Sequence, residues 1–158
     1  MYVDFIREYQ LIQRLIHQVP ECEPTTTAVL CVSPDYSSNV AMQVCHHLSK
    51  KGVMPAFYWV DVPYPKEDVR PYVIQFAEFL EEFGPQYDKV YLVEAAVLSG
   101  NNYTWLVHML MDHGFDRDDI CTVALLQKAD SIFDCDVVGD YVVDMPEFYF
   151  ERYSIHWD

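Results

Sequence analysis

The sequence predicts an α/β fold, a single-domain three-layer sandwich with a mostly parallel five-stranded sheet and helices on both faces. Segments with strand character alternate along the chain with segments of helical periodicity, and this alternation is typical of parallel sheets. No repeat, low-complexity tract or change of composition divides the 158 residues, of which 51% are hydrophobic. We therefore expect one domain over residues 1–158, large enough to bury a sizeable core.

The elements follow in order from the N-terminus. Apolar residues at three- and four-residue spacing over 3–19 predict an amphipathic helix in an N-terminal segment, 1–20, that ends at Pro20. Further helices are predicted over 40–51, 66–83 and 101–113, each followed by a glycine. Apolar and β-branched runs predict strands over 26–32, 54–60, 89–93, 121–127 and 140–143.

The charge balance excludes several classes of partner. The chain has 25 Asp and Glu against 10 Lys and Arg, a formal net charge of −15. Nucleic acids and anionic membrane surfaces both attract basic surfaces, so we expect neither as a partner. No run approaches the ~20 apolar residues of a membrane span, and no secretory signal is visible. We therefore expect a cytoplasmic protein, whose acidity serves solubility or docking on a basic protein partner.

The cysteine pattern predicts free thiols in a reducing compartment. The five cysteines are an odd number, and no pair has the C-x-x-C spacing. A zinc site formed by His46, His47 and a cysteine is an alternative, although adjacent histidines on a helix point apart.

Ligands of parallel sheets bind beyond the carboxyl ends of the strands, which here directs attention to the loops 33–39, 61–66, 94–102 and 127–135. In the third of these, Glu94 is followed by small residues and then by a helix. Small residues at a helix start allow backbone N–H groups to converge on a phosphate. The alternative is an ordinary helix start capped by Asn101 or Asn102.

At this loop the sequence resembles the type I phosphoribosyltransferases. In that family a strand and an acidic pair, which holds the ribose hydroxyls, precede a Thr-Gly-x-Thr loop that cradles the 5-phosphate of phosphoribosyl pyrophosphate (PRPP). Val90 to Val93 match the strand and Glu94 the first acid. The resemblance implies that Glu94 is a catalytic residue and a ligand of Mg²⁺. It also implies a phosphate- and ribose-binding loop of Val97, Leu98, Ser99, Gly100, Asn101 and Asn102.

The resemblance spans most of residues 27–158 and is closest to the xanthine-guanine (6-oxopurine) branch, because the segment 140–158 looks like that branch's C-terminal, base-side segment. It implies a homodimer or tetramer. It further implies base-binding roles for Lys128, Phe150 and Tyr153, and a pyrophosphate loop composed of Ser33, Pro34, Asp35 and Tyr36.

The sequence departs from the family pattern at positions that take part in the family's reaction. Ala95 replaces the second acid, and Leu98, which cannot transfer a proton, replaces the acid expected to contact the purine. In the pyrophosphate loop, Asp35 stands where a cation is expected. We therefore expect a protein that binds a purine nucleotide or a phosphorylated ribose. It transfers phosphoribose from PRPP to a 6-oxopurine with Mg²⁺, or it is a catalytically inactive nucleotide-binding or acidic protein-interaction module.

Overall fold

The computed structural model describes residues 2–3, 5–64, 66–144 and 147–148. The helices are α1 (Phe5–Ile16), α2 (Pro34–Leu48), α3 (Arg70–Phe83) and α4 (Asn101–Asp112). The strands are β1 (Tyr2–Val3), β2 (Thr27–Val32), β3 (Ala56–Val60), β4 (Lys89–Val97), β5 (Ile120–Lys128), β6 (Val137–Val142) and β7 (Glu147–Phe148). None of the described helices is long and apolar enough to cross a membrane.

Five strands form the main sheet in the order β3-β2-β4-β5-β6, and every neighbouring pair is parallel. The predicted fold class is therefore confirmed. A second sheet pairs β1 with β7, so Tyr2 lies opposite Glu147 and Val3 opposite Phe148. These strands have two residues each, too few for a periodicity that a sequence could show.

The core has two halves, one on each face of the sheet. Alternate residues of a strand point to opposite faces, so Val29 and Cys31 pack with α1 and α2, while Ala28 and Leu30 pack on the side of α3 and α4. All six residues of β2 are buried. This is the reason that the central strands appear in the sequence as continuous apolar runs. All five cysteines are free and buried, which confirms the predicted free thiols.

Several predicted boundaries are wrong, among them the start of β6, which is Val137 instead of residue 140. Strand β4 continues to Val97 because Glu94, Ala96 and Val97 keep their pairing with β5. Helix α3 begins at Arg70 instead of residue 66. Helix α2 begins at Pro34 instead of residue 40, with the proline in the first turn, where its missing N–H costs nothing. The predicted pyrophosphate loop is therefore not a loop: Ser33 alone joins β2 to α2.

Tyr103 ties α4 to the two central strands. Its ring is fully buried, and its hydroxyl donates to the Val123 carbonyl at 2.7 Å and lies 3.2 Å from the Leu92 carbonyl. We expect Tyr103→Phe to lower the free energy of unfolding by ~1–2 kcal/mol, because a buried hydrogen bond is lost. Urea denaturation measures the change. Tyr9→Phe, at a tyrosine that is 55% exposed, is the control. Equal effects of the two substitutions would contradict the assigned hydrogen bond.

Candidate functional site

A cleft of about 980 Å³ lies at the carboxyl ends of β2, β3 and β4. A cleft of this size can enclose a small organic ligand, for which sites of roughly 300–1,000 Å³ are usual. One wall is the end of β4 with the first turns of α4, and the other is the segment that joins β3 to α3. Of the predicted site residues, the cleft brings together Ser33, Glu94, Val97, Leu98, Ser99, Gly100, Asn101 and Asn102.

Gly100 begins α4 in a conformation that a side chain cannot share. Its φ is +86°, and it is the residue that precedes the first turn of the helix. A Cβ atom added there would lie 2.6 Å from the Phe133 Cβ and 2.6 Å from the Ser131 Oγ. The loop after β5 packs closely against Gly100. It is also hydrogen-bonded to the preceding residue, since the Ile132 N–H donates to the Ser99 carbonyl at 2.8 Å. Both the backbone angle and the space therefore require glycine.

The first turn of α4 presents N–H groups to the cleft. Gly100 provides no side-chain cap, and only the Asn101 N–H has a side-chain acceptor there, the Ser99 Oγ at 3.2 Å. Asn102 and Tyr103 occupy the next two positions, whose N–H groups have no acceptor within a helix. Together with the positive end of the helix dipole, they make this end of the cleft suited to an anion. Asn101 and Asn102 do not cap the helix, contrary to the alternative drawn from the sequence.

Side chains of the first turn are held in place. The Asn102 Oδ1 accepts a hydrogen bond from the Trp105 Nε1 at 3.2 Å, and the Thr104 Oγ1 donates to the Gly100 carbonyl at 2.9 Å. The Trp105 ring, which lines the cleft, also packs edge to face on Phe76. The loop and the aromatic side chain next to it are therefore connected by a hydrogen bond, and the ring is packed on its other side.

Glu94 is the acidic residue at the end of β4 that the sequence singles out. Its Oε1 accepts a hydrogen bond from the Ser33 Oγ at 3.2 Å. Burial raises the pKa of this carboxyl to about 8, although the Ser33 hydrogen bond opposes the shift. At neutral pH the group is mostly a neutral acid, which can both donate and accept hydrogen bonds.

Hydrogen bonds connect the end of β4 to the residues that directly follow β2. Ser33 has a left-handed backbone, with φ 55° and ψ 68°, and this turn starts α2 directly after β2. One turn into α2, the buried Ser37 accepts the Ala95 N–H at 2.9 Å. The backbone and side-chain groups next to Glu94 are thus already paired within the protein.

Glu94 and its neighbours do not fit Mg²⁺. This ion is usually held by one or two carboxylates, together with waters and substrate phosphates. The Glu94 Oε1 already accepts a hydrogen bond from the Ser33 hydroxyl, and Ala95 offers no second carboxylate beside it. In the part of the chain that the structure describes, no three His, Cys, Asp or Glu side chains are placed to hold a metal ion.

The opposite wall comes from residues 61–72, which the sequence analysis reached only as the loop 61–66. Here Glu67 accepts hydrogen bonds from the Tyr64 N–H at 3.0 Å and from the Tyr72 hydroxyl at 2.7 Å. Asp61 and Lys66 also line the cleft. In the sequence, only the position of this segment indicated that it belongs to the site: it follows a parallel strand, as the phosphate loop does.

Of the three predicted base-binding residues, the structure describes Lys128 alone. Lys128 is not among the lining residues of the cleft, and its Nζ lies 3.3 Å from the Asp130 Oδ2. Phe150 and Tyr153 lie outside the described residues. For Pro34, Asp35 and Tyr36 the structure describes the helical backbone alone.

Comparison with solved structures identifies the architecture. A purine phosphoribosyltransferase from Pyrococcus horikoshii superposes with a TM-score of 0.65 at 15% identity, covering 94% of this chain and 91% of that one. The fold is that of the purine phosphoribosyltransferases. A Helicobacter pylori xanthine-guanine-hypoxanthine phosphoribosyltransferase gives 0.63 at 14% identity, covering 98% and 97% of the two chains.

A Trypanosoma cruzi hypoxanthine phosphoribosyltransferase in complex with its product IMP has the same architecture. It gives a TM-score of 0.56 at 18% identity, covering 85% of this chain and 73% of that one. No family model matches the sequence, and neither does any curated protein.

Proposed function

We propose that this protein binds a phosphorylated ribose, free or within a purine nucleotide, and that its phosphate lies at the N-terminus of α4. The observation that carries the proposal is the Gly100 turn, which opens the first N–H groups of α4 to a cleft of ligand size. A phosphoribosyltransferase of the same fold was solved in complex with its product IMP, which supports a ligand of this class.

In this arrangement each part of the loop has a separate role. The N–H groups of Asn102 and Tyr103 donate to phosphate oxygens, aided by the helix dipole. The neutral Glu94 carboxyl, at the end of β4, exchanges hydrogen bonds with ribose hydroxyls. Trp105, held by Asn102 and Phe76, gives the ligand an aromatic surface close to the phosphate.

We further propose that the protein does not catalyse phosphoribosyl transfer at an appreciable rate. Transfer places positive charge on the sugar while pyrophosphate departs, so it depends on positioned charge and on a proton donor. Leu98, 48% exposed beside the phosphate loop, supplies neither, and the position of Ala95 is filled by an apolar, fully buried side chain. Incubation with PRPP, Mg²⁺ and guanine, xanthine or hypoxanthine is expected to yield no nucleotide. Turnover with any of these bases would contradict this part of the proposal.

Ser99→Asp tests the phosphate position. The new carboxylate can accept the Asn101 N–H as the serine does, and an acid at a helix N-terminus is favourable, so stability should be kept or raised. The same carboxylate competes with a phosphate for this end of α4. We expect its affinity for ribose 5-phosphate and IMP to fall by about tenfold or more, ~1.4 kcal/mol.

Isothermal titration calorimetry measures these affinities, and Gln75→Glu is the matched control. It adds the same charge on an exposed position of α3 that does not line the cleft. The control should bind as the wild type does. If Ser99→Asp also binds like the wild type, the phosphate does not lie at this helix.

A further inference from the structure

The charges of the cleft are unsuited to a ligand with many negative charges. Its described lining residues include two carboxylates, Asp61 and Glu67, and one basic side chain, Lys66, while Glu94 is mostly neutral at pH 7. PRPP carries a 5-phosphate and a diphosphate, and such groups bind where Arg, Lys or a metal ion neutralises them. Lys66 and the helix N-termini at Ser33 and Gly100 provide less positive charge than that.

The region beside Glu94 leaves little for a second phosphoryl group to bind. A diphosphate needs a set of free N–H donors, which a loop after a parallel strand can provide. Here that connection is the single residue Ser33, whose hydroxyl donates to Glu94, and the Ala95 N–H is taken by Ser37. The Ser33 hydroxyl, the Glu94 carboxyl and the Ala95 N–H are therefore already used to join α2 to β4.

From this geometry we infer that the ligand of the cleft carries a single phosphate and binds without Mg²⁺, as ribose 5-phosphate or a nucleoside 5′-monophosphate does. The inference rests on the proposed function and narrows it from phosphorylated riboses in general to monophosphates. The protein then binds the product side of a phosphoribosyl transfer and not its PRPP substrate.

Calorimetric titration of the full chain with ribose 5-phosphate, IMP and PRPP, each in EDTA and in excess Mg²⁺, tests this inference. We expect the two monophosphates to bind with affinities that Mg²⁺ changes by less than about twofold, and PRPP to bind no more tightly than ribose 5-phosphate. Glu94→Gln should show the same small response to Mg²⁺, because this carboxyl does not hold the ion.

Two results would overturn the inference, and they differ. If PRPP binds about tenfold more tightly than ribose 5-phosphate and only with Mg²⁺, a diphosphate site exists and the proposed function survives without the restriction. If none of the three compounds binds in either condition, the proposed function fails and the inference fails with it.

Discussion

Gly100→Ala is expected to lower the free energy of unfolding by roughly 2–5 kcal/mol and to abolish ligand binding. Two separate costs add up. The φ of +86° is unfavourable for any residue with a Cβ, and this Cβ would lie 2.6 Å from the Phe133 Cβ and 2.7 Å from its backbone nitrogen. The loop must move to relieve the contact, and the start of α4 moves with it, so the N–H groups lose their arrangement.

Gly52→Ala is the matched control for this substitution. Gly52 has a similar φ of +76°, but an added Cβ would meet nothing within 4 Å. It should therefore show only the backbone cost of ~1–2 kcal/mol, with unchanged binding. Urea denaturation and calorimetry measure both variants. Equal destabilisation by Gly100→Ala and Gly52→Ala would contradict the close packing of the loop 131–133 against Gly100.

The second large effect concerns Glu94 and pH. Burial raises its pKa from 4.5 to about 8 in the folded state. Between these values the native state binds more protons than the unfolded state, so the free energy of unfolding falls as pH rises through this window. Glu94→Gln removes the titration and keeps an oxygen that can accept from Ser33. The variant should therefore be more stable than the wild type above about pH 8. The pKa shift sets a maximum of ~5 kcal/mol for this difference in the free energy of unfolding, and we expect a few kcal/mol.

Urea denaturation of the wild type and Glu94→Gln at about pH 5 and about pH 9 separates the contribution of Glu94 from that of other titrating groups. Burial also raises the pKa of Glu8, so the wild-type slope contains its contribution too, but the difference between wild type and Glu94→Gln cancels it. Glu78→Gln, at an exposed position of α3, should change stability by less than ~0.5 kcal/mol at both pH values. A Glu94→Gln variant that is less stable than the wild type at high pH would show that the carboxylate is stabilised in place, contrary to this account.

The strands could be predicted from the sequence more closely than the ends of the elements. Thr27–Val32 is buried on both faces, so its continuous apolar run is enough to predict a strand. Strand β4 is different, because Glu94 interrupts its apolar run and alanine, at 95 and 96, is not a typical strand residue, although Ala95 and Val97 are buried and the pairing with β5 continues to Val97. The strand signal in the sequence therefore stops before the pairing does, and the end of this strand was placed too early.

The start of α2 shows what a sequence leaves undetermined. Serine, proline, aspartate and asparagine favour turns, and all four also favour the first turn of a helix. The structure selects the helix, in which the Ser37 hydroxyl reaches the Ala95 N–H, 58 positions away in the chain. A partner so distant cannot be found from local residue preferences.

For the site, the continuous segment 94–102 could be predicted and the surrounding residues could not. Val97 to Asn102 lie together because they are consecutive at one strand end. Lys128 also ends a strand, yet its ammonium pairs with Asp130 and does not line the cleft. The homodimer or tetramer, the basic protein partner and the cytoplasmic location remain predictions.

The most direct test of the central claim is the backbone amide NMR spectrum of the ¹⁵N-labelled protein during titration with ribose 5-phosphate. Phosphate oxygens that accept hydrogen bonds from the start of α4 should shift the amide signals of Gly100, Asn101, Asn102 and Tyr103 more than those of other residues. Saturable shifts centred on these four amides are the predicted result. Shifts centred elsewhere, or none at these positions at saturating ligand, would contradict the assignment of the phosphate site.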